Sequence, residues 1–287
     1  MEPLVYIVLL NWHGWRDTVD CLGSLGSLSY QNYRVLVVDN GSNDDSVMRL
    51  KAAYPKLNLI ETGSNLGFSG GCNVGIRHAL DNGADYVWLL NNDTRVERHS
   101  LSRLVETGAS SNKIGVVGSV LYHMGEPDAI QVWGGGRVNL WLGTARSNYQ
   151  PVSDEKLHYV SGASMLLRRK ALENVGLLDD LTFFMYWEDV DLCFRLRTHG
   201  WHFAIAEGSR VWHKNSASSE KKSIQLDLYM NASATQFFKR HAPLPLFPII
   251  IGTGGRIVKR LLRGDWEHVR AVWQGMSSQL FKPVSRK

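Results

Sequence analysis

Two short stretches of this sequence hold carboxylates in settings that suit chemistry. The first, Asn91-Asn92-Asp93-Thr94, follows the apolar run at 86–90. A carboxylate at the carboxyl end of a buried strand can hold a divalent cation against a diphosphate, because hard cations favour oxygen ligands. The second is Phe183-Phe184-Met185-Tyr186-Trp187-Glu188-Asp189-Val190-Asp191, where three carboxylates follow an aromatic run directly. Apolar rings strip water from a neighbouring carboxylate, which raises its proton affinity toward that of a general base. Acidic residues at a helix start, favoured by the helix dipole, account for the same stretch. Both hold at once if Asp191 serves the helix and Asp189 the chemistry.

Other polar clusters close other apolar runs. Asn11 follows the run at 4–10, and Asp39-Asn40-Gly41-Ser42 follows the run at 33–38. Asp39 in that position can accept hydrogen bonds from a base or a ribose, although Asx turn chemistry explains Asp39 and Asp93 equally well. Asn65-Leu66-Gly67-Phe68-Ser69-Gly70-Gly71 reads as a Gly-rich loop opening a helix, where backbone N–H groups can approach an anion. It matches neither G-x-G-x-x-G nor a Walker A sequence, so dehydrogenase and phosphate-loop chemistry lose their main support. His213 can complete a metal site or act as a structural hydrogen-bonder. His199, just before Gly200, reads as a helix terminus and is given no catalytic part.

The elements between these clusters must position them. Buried strands at 4–10, 33–38, 58–61 and 86–90 alternate with helical stretches, the first carrying Val19, Leu22, Leu25 and Leu28 on one side. A second helix is expected at 44–54, and a third from the Gly-rich loop to about Leu80. The alternation predicts an α/β fold with a mostly parallel sheet flanked by helices and right-handed crossovers. Beyond residue 112 the pattern is mixed. Strands are expected at 114–121, 159–167 and 203–206, and a helix at 225–241; the Gly-, Trp- and Asn-rich stretch 125–155 has no clean period. The simplest division is one domain at 1–240 and a tail at 241–287.

At 287 residues and 44% hydrophobic, the chain can bury a sizeable core, which excludes disorder, collagen and a multi-span membrane protein. Cys21, Cys72 and Cys193 are odd in number and form no C-x-x-C, so neither a disulfide framework nor a structural zinc site is expected, and a reducing compartment suits them. The net charge of +5 is unevenly spread: residues 1–238 carry −3 and residues 239–287 carry +8. A slightly acidic body argues against a nucleic-acid-binding face.

In their order along the chain, Asn11, Asp39-Asn40-Gly41-Ser42, Asn65-Leu66-Gly67-Phe68, Asn91-Asn92-Asp93, Ser161-Gly162-Ala163 and Trp187-Glu188-Asp189 resemble family 2 inverting glycosyltransferases, most closely the rhamnosyltransferase-like branch. The resemblance covers roughly residues 4–215. It implies a GT-A fold, with a nucleotide-sugar half at about 1–112 and an acceptor half at 113–240. It further implies that Asn11, Asp39, Asn40, Asn65, Gly67, Phe68, Asn91 and Asn92 border the donor, and that Gly162, Ala163 and Trp187 border the acceptor. Asn91-Asn92-Asp93 stands at the D-x-D position with Asn91 in place of the first Asp. Asp93, with His213, then holds Mg2+ or Mn2+. Glu188-Asp189 matches the family's E-D motif, in which the Asp is the catalytic base. The donor implied is a nucleoside-diphosphate sugar, dTDP-L-rhamnose before a UDP-sugar, and the acceptor a glycan or a polyprenyl-diphosphate-linked sugar. A nucleotidyltransferase and a non-catalytic carbohydrate-binding relative are the alternatives; the acidic motif after Trp187 disfavours the first, and the presence of both Asp93 and Asp189 the second.

The tail explains the charge. Its apolar run at 244–251 is short and interrupted by Pro245 and Pro248, so it cannot span a bilayer. Ile257, Val258, Leu261 and Leu262 fall on one helical face, with Arg256, Lys259, Arg260 and Arg263 beside or opposite it. Val269, Val272, Trp273, Met276 and Leu280 recur at helical spacing after that. Basic amphipathic helices with Trp suit an anionic membrane surface, whereas packing on the body is the plainer alternative. No targeting segment is evident in the opening residues, so the expected place is cytoplasmic, peripheral on the inner face of the cell membrane.

Overall fold

The computed structural model describes residues 2–214 and 223–283. Its first half alternates as the sequence predicts: β1 (Val5–Asn11), α1 (Trp15–Leu25), β2 (Tyr33–Asp39), α2 (Ser46–Ala53), β3 (Asn58–Glu61), α3 (Gly67–Asp81) and β4 (Tyr86–Asn91). The four strands pair in parallel in the order β3-β2-β1-β4. Strand β1 has a helical layer on each side. Val5, Ile7 and Leu9 face a cluster with Leu22 and Leu25 of α1, while Tyr6 and Val8 face Cys72 and Ile76 of α3. Period-two alternation sends successive side chains to opposite faces, and each fully buried aliphatic contributes roughly 1.5–3 kcal/mol. Helix α3 lies tight on the sheet because Gly75 has no side chain; a Cβ there would overlap Val8.

The second half continues the same sheet. It comprises β5 (Thr94–Val96), α4 (Ser100–Ala109), β6 (Ile114–His123), β7 (Glu126–Trp133), β8 (Gly135–Asn139), β9 (Thr144–Ser147), β10 (Tyr159–Val160), β11 (Ser164–Arg168), α5 (Arg169–Val175), α6 (Glu188–Thr198) and β12 (His202–His213). Strand β11 inserts antiparallel between β4 and β6, and β12 runs parallel to β6. Parallel pairing therefore holds for the first half, and the sheet is mixed beyond β4. Three expectations change here. The strand expected at 159–167 is two strands in different sheets, broken by the turn at 161–163. Residues 67–71 are the first turns of α3 rather than a loop, because Gly67 takes φ +75 and starts the helix directly. The aperiodic stretch 125–155 holds β7, β8 and β9; β8 pairs with both β9 and β10 as a small separate sheet.

Helix α7 (Ile224–His241) leads to α8 (Leu246–Leu261) and α9 (Trp266–Leu280), so both tail helices exist and pack on the body; residues 284–287 of the tail lie outside the described ones. Helix α9 lies on α7, where Gly275 leaves no room for a side chain against Leu228. Helix α8 presents its apolar face outward. Arg256 and Arg260 turn inward, Arg256 Nε donating to Asn231 Oδ1 at 2.6 Å and Arg260 Nε to Asp227 Oδ2 at 2.8 Å. Val258, Leu261 and Leu262 point outward, and so do Leu246, Phe247 and Ile250. The reason is Asp227: with His268 Nδ1 at 2.7 Å it needs cationic partners, and α8 supplies them. Among the described residues no helix is long and apolar enough to cross a membrane.

Candidate active site

The parallel register brings the ends of β1, β2 and β4 to one edge: Asn11 stands opposite Asp39, and Leu10 opposite Asn91. Asn11 and Asp39 are buried there as a bonded pair. Asn11 Nδ2 donates to Asp39 Oδ2 at 2.7 Å, and the Ser42 N–H donates to Asp39 Oδ1 at 2.9 Å. Thr18 Oγ1 donates to Asn11 Oδ1 and accepts from Asn92 Nδ2, both at 2.8 Å. Asn40 knits the turn to α3: its Nδ2 donates to Asn65 Oδ1 and Gly67 O, and its Oδ1 accepts from the Leu66 N–H.

In front of this network lies a cleft of about 390 Å³, lined by Trp12, Asn40, Asn65, Gly67, Phe68, Asn91, Asn92, Asp93 and Met185 among others. Seven of the sequence candidates thus meet on one surface. Asn11 and Asp39 sit behind it, where they fix the wall.

His213 arrives at this edge from β12, which pairs with Thr94 through β5. Its Nε2 is 3.2 Å from Asp93 Oδ1 and 3.3 Å from Asn91 Nδ2. On its other side Nδ1 is 2.8 Å from Gln131 Oε1. Donation to Gln131 leaves the Nε2 lone pair directed at Asp93, the arrangement in which an outer partner orients a metal-ligating imidazole. Among the described residues no cluster of three or more His, Cys, Asp or Glu side chains could hold a metal ion. Asp93 and His213 are nonetheless an O/N donor pair that fits Mg2+ or Mn2+ when substrate phosphates complete the coordination.

Glu188 and Asp189 open α6 on an unusual backbone. Tyr186 and Trp187 both take left-handed φ, 68° and 67°. Such residues cost about 1–3 kcal/mol each and persist where the surroundings over-determine them. Here Trp187 is buried, its ring centroid 4.8 Å from Phe237 and 5.2 Å from Phe238. Ser233 Oγ donates to Met185 O at 2.8 Å. Trp187 therefore anchors the turn to α7.

Asp189 is half-buried; its Oδ2 accepts from the Gly162 N–H at 2.9 Å and its Oδ1 from the Val190 N–H at 2.8 Å. Burial pushes its proton affinity up, and those N–H groups restrain the rise. Glu188 is buried more deeply, and its Oε2 has no hydrogen-bond partner among the described residues. Burial first, and then the neighbouring Asp189, hold Glu188 well above the usual carboxylate range. Of the pair, Glu188 thus holds its proton the more tightly, because fewer donors face its charged form.

One short turn joins the two ends of the site. Asn91 N–H donates to Ala163 O at 3.0 Å, and Gly162 next to it holds Asp189. A Cβ at Gly162 would stand 3.2 Å from Asp189 Oδ2. Phe68 N–H donates to Phe184 O at 2.7 Å, tying the start of α3 to the aromatic run before the acidic pair. Sequence reading missed Thr18, Gln131, Met185 and Gly14. Gln131 is separated from His213 by 82 residues and has no local signal; Thr18 differs from an ordinary helical Thr only by its distant partners.

The family model for glycosyl transferase family 2 matches residues 6–176. An N-acetylglucosaminyl-diphospho-decaprenol L-rhamnosyltransferase of Mycobacterium tuberculosis is 28% identical over 221 residues, 69% of this chain and 72% of that protein. The low-salt glycan biosynthesis hexosyltransferase Agl10 of Haloferax volcanii is 25% identical over 269 residues, 89% of this chain and 84% of that protein. Among solved structures, the mannosyltransferase PcManGT of Pyrobaculum calidifontis, in complex with GDP-Man and Mn2+, superimposes with a TM-score of 0.61 at 16% identity, over 97% of this chain and 75% of that one.

Proposed function

This chain belongs to glycosyltransferase family 2, with rhamnosyltransferase-like relatives and a GT-A fold, and from that premise we propose an inverting sugar transfer with Asp189 as its base. The donor is a nucleoside-diphosphate sugar, with dTDP-L-rhamnose favoured by the rhamnosyltransferase relative. The acceptor is a lipid-linked or polysaccharide glycan of the cell surface, a class to which that relative's decaprenol-linked substrate belongs by its name.

The observation that carries this reading is the convergence of Asp93–His213 and Asp189 at the two ends of one turn, 161–163. Asn40, Asn65, Gly67, Phe68, Asn91 and Asn92 border the donor in the cleft. Asp93 and His213 would hold a divalent metal, and Mn2+ or Mg2+ there would supply positive charge against the departing nucleoside diphosphate. Ionised Asp189 takes the proton of the acceptor hydroxyl as its oxygen attacks the anomeric carbon. The bond to the diphosphate breaks on the opposite face, so the configuration inverts. Neutral Glu188 keeps a second negative charge away from that hydroxyl.

The same reading places the protein at an anionic membrane surface. Leu246, Phe247, Ile250 and Leu262 are exposed together with Lys259 and Arg263, and residues 228–264 contain no acidic side chain. Apolar patches bordered by cations suit the interface of an anionic bilayer.

Asp189→Asn tests the catalytic assignment. Nucleoside-diphosphate release with acceptor present is expected to fall by about 10²–10⁴-fold, the usual worth of a positioned base. Donor binding by thermal shift survives in the same variant. Unchanged turnover would sink the reading.

A further inference from the structure

A second concavity, of about 800 Å³, lies on the small sheet and is lined by Arg137, Arg146, His158, Trp141 and Leu142 among others. Arg137 and Arg146 are directly opposed across the antiparallel β8–β9 pair, so both guanidinium groups rise from the same face. Like charges so placed repel. Nothing offsets them locally: neither forms an ion pair among the described residues, and residues 129–153 contain no Asp or Glu. Two arginines facing one another across a strand pair are geometrically suited to clamp a phosphate or diphosphate from both sides.

The tip of the same hairpin is apolar and exposed. Trp141 and Leu142 are each about half accessible, and the Trp141 ring packs edge-on to Phe247 of α8 at 6.3 Å. The cationic concavity is therefore continuous with the outward apolar face of the tail. Its floor also leads to the base: His158 is four residues upstream of Gly162, a reach of at most about 14 Å.

We propose that the β8–β9 hairpin is a lipid-diphosphate site, with Arg137 and Arg146 gripping the diphosphate of a polyprenyl-linked acceptor while Trp141 and Leu142 enter the bilayer edge. This rests on the glycosyl-transfer reading for its purpose, and it names how the acceptor is held. An acceptor gripped there by its diphosphate points its sugar toward the turn at 161–163.

The experiment is flotation with three vesicle compositions: phosphatidylcholine alone, the same lipid with a few per cent polyprenyl diphosphate, and the same lipid with phosphatidylglycerol at equal charge. The wild-type protein is expected to partition onto the diphosphate vesicles above the phosphatidylglycerol ones. Arg137→Gln/Arg146→Gln loses that excess, its binding to diphosphate vesicles falling to the level of its binding to phosphatidylglycerol. A double variant that binds all three compositions like the wild type, or that loses both anionic lipids equally, overturns the site. Independently of any variant, pyrophosphate added with the metal chelated should release the wild-type protein from diphosphate vesicles only; no release also overturns it. No donor is present in these measurements, so a wild-type protein that releases no nucleoside diphosphate from any donor would refute the transferase reading and leave this result standing.

Discussion

Glu188 and Asp189 carry neighbouring carboxylates, and burial raises the proton affinity of both. They differ in what faces the charged form. Asp189 receives N–H donors from Gly162 and Val190, whereas Glu188 Oε2 receives none among the described residues. Of the two, Glu188 therefore holds a proton the more tightly. Two outcomes follow at this scale. The acid limb of kcat/KM is expected above the ordinary Asp value of about 4, with activity rising as Asp189 ionises; a pH–rate profile checks it. Glu188→Gln, which mimics the protonated acid, should retain turnover where Asp189→Asn does not. It should also stabilise the fold increasingly with pH. Above the ordinary Glu range of about 4.3 the unfolded chain ionises while folded Glu188 stays neutral, so the wild type alone loses stability until its raised value is reached. Melting temperatures of both proteins at pH 5 and pH 8 give the comparison; a constant difference would contradict it.

At the scale of elements, the acidic start of α6 serves structure as well as chemistry, and Asp191 is where it does so. Asp191 accepts from Arg195 within α6 at 2.7 Å, from Arg240 of α7 at 2.8 Å, and lies 2.8 Å from His241 Nε2. Arg240 also reaches Asp179 at 2.6 Å, so one carboxylate locks α6 onto α7 and the loop after α5. Burial alone would raise the Asp191 pKa, but the His241 hydrogen bond and the two arginine charges outweigh it and hold the value at about 2. This stabilisation is complete above the unfolded value of about 3.9 and is lost as pH falls from there toward the folded value. Asp191→Asn leaves buried cations without their counter-charge and should cost about 3–5 kcal/mol. Denaturant unfolding near neutral pH measures it, and the gap to the wild type should shrink below pH 4. Because α7 also carries Phe237 and Phe238 against Trp187, loosening this lock is expected to disturb the left-handed turn that aims Asp189.

At the scale of the whole molecule, one mixed sheet collects the site from β1, β2, β4, β7 and β12, and the tail helices pack on α7. If the outward face of α8 meets lipid, Phe247→Asp/Ile250→Asp should abolish flotation on phosphatidylglycerol vesicles while the melting temperature stays near that of the wild type, since Phe247 and Ile250 are exposed. Equal flotation of both forms would remove the membrane from the account. The alternating half of the fold was legible because buried parallel strands read as continuous apolar runs, each closed by the polar residues that a strand end needs. The acidic motif, the Asn91-Asn92-Asp93 cluster and the Gly-rich start of α3 were legible for the same reason: their chemistry is local. What sequence could not carry is any property set by partners distant along the chain. The Gln131 that orients His213, the burial of Asp39 behind the cleft, the inward packing of Trp187 and the choice of which α8 face turns inward all depend on which surfaces meet. In α8 periodicity identified two faces correctly, but Asp227 on another helix decided which one turned inward, because a buried carboxylate without cations costs more than exposed leucines. Sequence alone determined which chemistry the chain carries; tertiary structure decided which groups share a proton, a wall or a counter-charge.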